Sequence, residues 1–159
     1  MRKNKRPLAP HEALSRAMKL CSREEKCSFD IRQKLYQWGV PSETHDEIIN
    51  QLIDDKFLSD ERFVRYFVRD KFRFNKWGKI KIEYLLKQKN LPGALISQAL
   101  FEEIPEENYN GTLKEILEAK YAQTNETDPV KLKAKLVRFA ASRGFESGKV
   151  FEEVNKIIQ

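Results

Sequence analysis

The chain has 159 residues, with 30 Lys and Arg against 24 Asp and Glu for a formal net charge of +6, 40% apolar residues, six Gly and six Pro. With 34% of residues charged, no apolar run approaches the roughly 18 needed to cross a bilayer, and the basic N-terminal MRKNKRPLAPH lacks the apolar stretch of a secretory signal. Scarce Gly and Pro beside abundant Leu, Ile, Phe, Lys, Glu and Gln argue against sandwiches, barrels and glycine-rich phosphate loops, and predict an all-α protein of one or two small domains.

Residues 1–10 read as a disordered basic leader ended by Pro10, whose fixed backbone angle suits the first turn of a helix. From His11 to about Arg23, Ala13, Leu14, Ala17, Met18 and Cys21 recur at three- and four-residue steps on one helical face. Ile31, Leu35 and Trp38 continue the pattern to Gly39, a left-handed stop, with Pro41 opposing continuation. Thr44 to Glu47 forms a capping box opening a third helix that buries Ile48, Ile49, Leu52, Ile53 and Phe57. Ser59-Asp60 caps a fourth, striped by Phe63, Val64, Phe67 and Val68 and ending near Phe74-Asn75. A fifth follows Trp77-Gly78, carries Ile82, Leu85 and Leu86, and stops at Asn90, which tolerates the left-handed conformation. Pro92-Gly93 opens a sixth, and residues 105–111 read as a linker before a capping box at Thr112 to Glu115. Asp128-Pro129 caps an eighth helix that ends at Gly144, and Ser147 starts a ninth.

The helices fall into a repeat. Ile31, Leu35, Gly39, Ile49 and Ile53 coincide, after a shift of 51, with Ile82, Leu86, Asn90, Leu100 and Ile104; a further shift of 54 reaches Leu136, Ala140, Gly144, Val154 and Ile158. Core positions and helix stops superpose together, which predicts three tandem three-helix repeats over 11–58, 59–105 and 106–159, stacked into an elongated, curved body. Such bodies offer long surfaces instead of closed pockets, so a long partner is expected.

Charge is unevenly shared among these repeats. Residues 61–104 hold ten Lys and Arg against five Asp and Glu, whereas residues 105–159 hold nine of each. Read as helix, Arg62, Arg65, Arg69 and Arg73 form a guanidinium stripe beside the apolar Phe63, Val64 and Phe67, followed by Lys76, Lys79 and Lys81. Arginine pairs bidentately with carboxylates or phosphates, so this stripe suits an acidic protein surface or a nucleic-acid backbone; a merely solvated face is the plainer alternative. Phe72, Phe74 and Trp77 interleave with it, either as stacking or anchoring aromatics or as side chains closing the junction between helices four and five.

Candidate chemistry is sparse. Cys21 and Cys27, with only His11 and His45, make no tetrahedral zinc set, which predicts a reduced cytoplasmic setting, no metal and no cofactor. His45 reads as a solvated helical residue, Cys21 as a core residue and Cys27 as a spare thiol, and no catalytic residue or small-molecule substrate is expected.

The opening segment from Ala13 through Cys21-Ser22-Arg23-Glu24-Glu25-Lys26-Cys27-Ser28 to Trp38-Gly39-Val40 carries a resemblance, as do Leu58-Ser59-Asp60-Glu61-Arg62-Phe63, the stretch from Trp77-Gly78 to Asn90-Leu91, and Ser142-Arg143-Gly144-Phe145. Together they resemble the bacterial RecX family over essentially the whole chain, with Asn90 standing where a turn glycine is usual. The resemblance implies three tandem three-helix repeats, and a regulator that binds the RecA recombinase filament on single-stranded DNA and inhibits its ATPase, strand exchange and coprotease activities. It also implies that Arg62, Arg65, Arg69, Arg73, Lys76, Lys79 and Lys81 face the filament's protein or DNA. The rival reading is an independent DNA-binding protein using the same basic repeat.

Overall fold

The computed structural model describes residues 6–159; the expected leader lies outside the described residues over positions 1–5. Its remainder is not loose, because the Leu8 amide donates to the Trp38 carbonyl (3.0 Å) and the Leu8 side chain packs against the core. The described residues form helices α1 (Pro10–Arg23), α2 (Ser28–Gln37), α3 (His45–Asp54), α4 (Asp60–Arg73), α5 (Lys79–Gln88), α6 (Gly93–Glu103), α7 (Glu106–Gln123), α8 (Pro129–Ser142) and α9 (Ser147–Ile158), with no strand among them. The chain divides into two compact units, one ending at Tyr66 and one beginning at Phe67, so the division falls inside α4.

In the first unit Ala13 and Ala17 let α1 approach closely enough to enclose Ile31, Leu35, Ile48 and Leu52, all buried. Helix α2 ends as expected at Gly39, with φ of +73°, and the Val40 amide returns to the Leu35 carbonyl (3.0 Å). Cys27 is a thiol outside any disulfide, as expected, but a buried one with a capping role at the start of α2: its sulfur accepts from the Asp30 amide, while the Asp30 carboxylate accepts from the Cys27 amide at 3.4 Å. His45 is fully buried rather than solvated. Its Nε2 lies 2.9 Å from the Val40 carbonyl and its ring meets Tyr36 edge-on at 4.6 Å, tying α3 to the turn that ends α2. The Thr44 hydroxyl donates backwards to the Pro41 carbonyl (2.8 Å) and makes no cap bond to α3, because a 3-10 turn over Ser42–Thr44 precedes that helix.

The second unit is built around Tyr109, Leu113, Leu117, Leu136, Val150 and Val154. The expected linker at 105–111 is helix instead: Pro105 is the N-cap of α7, Glu106 and Glu107 sit in its first turn, and Thr112 to Glu115 lies mid-helix. Burial of Tyr109 makes the early start favourable, and acidic residues suit the positive end of the helix. Gly111 therefore stands inside a helix, exposed, and a methyl group added there would have no atom within 4 Å to meet. Gly111→Ala is expected to raise unfolding stability by about 1 kcal/mol, measured by urea denaturation. The Asp128 cap forms as predicted, its carboxylate accepting from the Val130 amide at 2.9 Å.

Gly39, Asn90 and Gly144 all take positive φ (+73°, +57°, +94°), so the stops matched by the sequence shifts are conformationally equivalent. Lys56 and Lys76 also adopt positive φ, at the ends of α3 and α4. Nothing in their composition marks them as stops. They are held there by the returning bonds Phe57 amide to Leu52 carbonyl (2.9 Å) and Trp77 amide to Lys71 carbonyl (3.1 Å).

A second regularity joins the repeats. The first amide of α2, at Ser28, donates to the Asp60 carboxylate on α4 (2.7 Å), and the first amide of α5, at Lys79, donates to the Tyr109 hydroxyl on α7 (3.0 Å). Residues 28 and 79 are 51 apart, so the middle helices of the first two repeats each receive a cap from the opening helix of the next repeat.

Candidate partner-binding surface

Helix α4 begins where Ser59 Oγ accepts from the Arg62 amide (3.2 Å), and its acidic first turn and basic last turn match the helix dipole. Its period places the four arginines along one side, but packing gives them different work. Arg62 is a clamp: Nε bonds Glu25 at 2.6 Å, and the terminal nitrogens reach the Lys56 and Phe57 carbonyls at 3.4 and 3.2 Å, closing the turn between α3 and α4. Arg62→Ala is expected to lower the stability of the first unit by about 1 kcal/mol in thermal or urea unfolding, since the pair is partly exposed and the carbonyls can turn to water. Arg65 is largely covered and pairs with Glu61 at 3.5 Å.

Arg69, Arg73 and Lys76 come together in the second unit, lining one cleft with Phe72, Glu103 and Glu115. Arg69 pairs with Glu103 (3.1 Å) and Lys76 with Glu115 (2.5 Å). Arg73 lies between these pairs, exposed and with no carboxylate within ion-pair distance among the described residues. Lys76 and Glu115 are both exposed, and exposed ion pairs contribute only about 0–1 kcal/mol, so an incoming anionic group can displace Glu115 at little cost while Arg73 receives it.

The remaining two lysines lie on rings. Lys79 Nζ sits 4.8 Å from the centre of Tyr109, and Lys81 Nζ 4.4 Å from that of Trp77, with Lys71 Nζ also over Trp77 at 5.2 Å. Trp77 thus organises two cations, while Phe72 turns toward Tyr109 (6.0 Å) and Phe74 points to solvent. Lys71 is invisible to the spacing of the stripe because it is off the register of the arginines; its i−4 and i+6 aromatics, Phe67 and Trp77, are the available signal.

Burial pushes the Cys21 thiol up, with Glu25 adding to the effect, and burial together with the bond to Glu146 holds the Tyr109 phenol well above its ordinary range. No cluster of His, Cys, Asp or Glu among the described residues is placed to hold a metal ion, and no helix of the described residues is long and apolar enough to cross a membrane.

These features define an all-helical tandem-repeat protein of three-helix domains with a cationic cleft in its second unit. The models of the first, second and third three-helix domains of RecX match residues 13–52, 59–100 and 107–152 in that order. The regulatory protein RecX of Pseudomonas entomophila is 32% identical over 130 residues, 81% of each chain, and that of Clostridium acetobutylicum is 30% identical over 148 residues, 89% of this chain and 68% of the relative. The chain spans 65% of the Clostridium tetani relative. In three dimensions it is similar to a crystal structure of RecX from Lactobacillus salivarius, with a TM-score of 0.81 at 16% identity over 93% of this chain and 96% of the other. A second RecX crystal structure gives 0.82 at 22% identity over 92% of this chain and 73% of its own. The chain belongs to the RecX family of regulatory proteins.

Proposed function

We propose that this chain regulates RecA: it binds the recombinase or its filament on single-stranded DNA and inhibits ATP hydrolysis, strand exchange and coprotease activity, restraining recombinational repair. The observation that carries this reading is family membership through all three domains in order. In this reading the protein acts in the cytoplasm by binding, without catalysis, cofactor or small-molecule substrate. The contact runs through the cleft of Arg69, Arg73 and Lys76, where the exposed Glu115 gives way to anionic groups of the filament. Arg62 and Arg65 support the fold of the first unit, and Lys79 and Lys81 add positive potential from their ring-bound positions.

The test is a titration of DNA-dependent RecA ATPase with this protein. Inhibition at less than one copy per recombinase is expected; an unchanged rate at excess overturns the proposal, and stimulation reverses its direction. The variant Arg69→Ala/Arg73→Ala/Lys76→Ala should need at least about tenfold more protein for half inhibition, equivalent to ~1.4 kcal/mol, with helicity unchanged. Full potency in that variant moves the contact elsewhere. Tight binding to DNA without RecA, combined with no effect on RecA, favours the independent DNA-binding reading.

A further inference from the structure

The final third of the chain holds nine basic and nine acidic residues, but the signs are segregated. From Pro129 to Phe145 there are five basic residues, Lys131, Lys133, Lys135, Arg138 and Arg143, and no Asp or Glu. Lys131, Lys135 and Arg138 recur at steps of four and three on the exposed side of α8, opposite the buried Leu132, Leu136 and Ala140. Where α8 passes the end of α7 it leaves a cleft lined by Lys120, Lys135, Arg138 and Phe139, with Thr124 and Asn125 as neutral donors; Ser142 also lines it, its hydroxyl donating to the Phe139 carbonyl at 2.6 Å. One carboxylate lines it: Glu126, 3.6 Å from Lys135. Lys131 and Arg138 have no carboxylate within ion-pair distance among the described residues. Phe139 carries Lys120 and Arg143 on its ring, at 5.2 and 5.1 Å, which fixes two further cations at the cleft's edge.

The array continues beyond α8. The shift of 54 that superposes the stops Asn90 and Gly144 also superposes Lys79 on Lys133, Lys81 on Lys135 and Lys89 on Arg143. The two helices meet end to end, the Gly78 amide donating to the Arg143 carbonyl at 2.7 Å and the Ile80 amide to the Gly144 carbonyl at 3.0 Å. Basic positions therefore recur with the structural repeat inside the second unit.

We propose that α8 and the end of α7 form a second cationic surface that binds the phosphodiester backbone of single-stranded nucleic acid. Lys131, Lys135 and Arg138 stand about 6 and 4.5 Å apart along the helix axis, a linear array that a strand with closely spaced phosphates neutralises continuously. Lysines dominate, acting as point charges without demand for bidentate geometry, and neutral side chains add donors for phosphate oxygens. An acidic protein is disfavoured because the cleft offers no open apolar pocket for an anchor, the ring of Phe139 being covered by its two cations. Binding is sequence-independent for the same reason. This proposal stands apart from the RecA reading, and its assay contains no RecA.

The experiment measures fluorescence anisotropy of labelled oligothymidylate with the full chain across a range of NaCl. The parent protein should bind, and Lys131→Gln/Lys135→Gln/Arg138→Gln should weaken binding at least about tenfold and flatten the log–log salt slope by about 2, as loss of three single-strand phosphate contacts requires. Lys131→Arg/Lys135→Arg should retain binding, and matching circular dichroism of all variants separates loss of charge from loss of fold. No binding by the parent at low salt, or equal affinity and slope in the glutamine variant, overturns the proposal. Displacement by polyglutamate as efficient as by unlabelled oligothymidylate at equal charge also overturns it, assigning the surface to acidic protein.

Discussion

Gly78→Ala is expected to destabilise the second unit by about 4 kcal/mol or more. The backbone at Gly78, φ −76° and ψ 166°, suits any residue, so the cost is purely steric. A Cβ there would lie 2.2 Å from the Gly144 carbonyl oxygen and 2.3 Å from its carbon, backbone atoms that cannot swing aside. Moving them breaks the caps of α5, because the carbonyls of Arg143 and Gly144 are the acceptors for the Gly78 and Ile80 amides. Gly144→Ala meets the same crossing from the other side, with Lys81 Cβ at 2.3 Å, and adds the strain of φ +94°. Urea unfolding of both variants beside Gly111→Ala is the measurement. A midpoint for Gly78→Ala equal to that of the parent would show that the two repeats do not cross this closely.

Tyr109→Phe is expected to cost about 2 kcal/mol at neutral pH, without creating a cavity. The hydroxyl donates to Glu146 at 2.6 Å and accepts from the Lys79 amide at 3.0 Å, so one oxygen joins the starts of α5 and α9 to α7. The ring remains stacked on Phe145 at 5.0 Å in either case, which confines the loss to the two polar partners. The sign of the pH dependence follows from burial. Burial and the Glu146 bond raise the folded phenol above its ordinary value near 10, so stability from this group is complete below pH 10 and is lost as pH rises further and the unfolded chain ionises. Chemical denaturation from pH 7 to 11 should show that decline in the parent and a shallower one in the phenylalanine variant.

Much of the helical plan was legible because local signals sufficed. Apolar residues at three- and four-residue steps identified most of the buried faces, although Ile53, expected in the core, is 44% exposed, and Gly39, Asn90 and Gly144 took the left-handed conformations that their side chains permit. The failures share one cause. Pro105 and Gly111 read as punctuation, yet the gain from burying Tyr109 exceeds the weak helix penalty of one glycine. His45 looked solvated within a polar run, and only the packing of α3 against the end of α2 supplies the Val40 carbonyl and Tyr36 ring that enclose it.

The candidate surface divides in the same way. Helical period alone aligned Arg62, Arg65, Arg69 and Arg73 on α4, since it depends only on 3.6 residues per turn. Which arginines are available was decided by distant residues: Glu25 and two carbonyls occupy Arg62, Glu103 engages Arg69, and Arg73 is left between two ion pairs. Net charge per segment concealed the cations of α8, because summing over residues discards the side of the helix on which each charge stands. The repeat, its helices and its basic stretches are properties of local spacing and can be read along the chain. Which cations are spent inside the fold and which face outward depends on partners brought close from tens of residues away, and only folding supplies those.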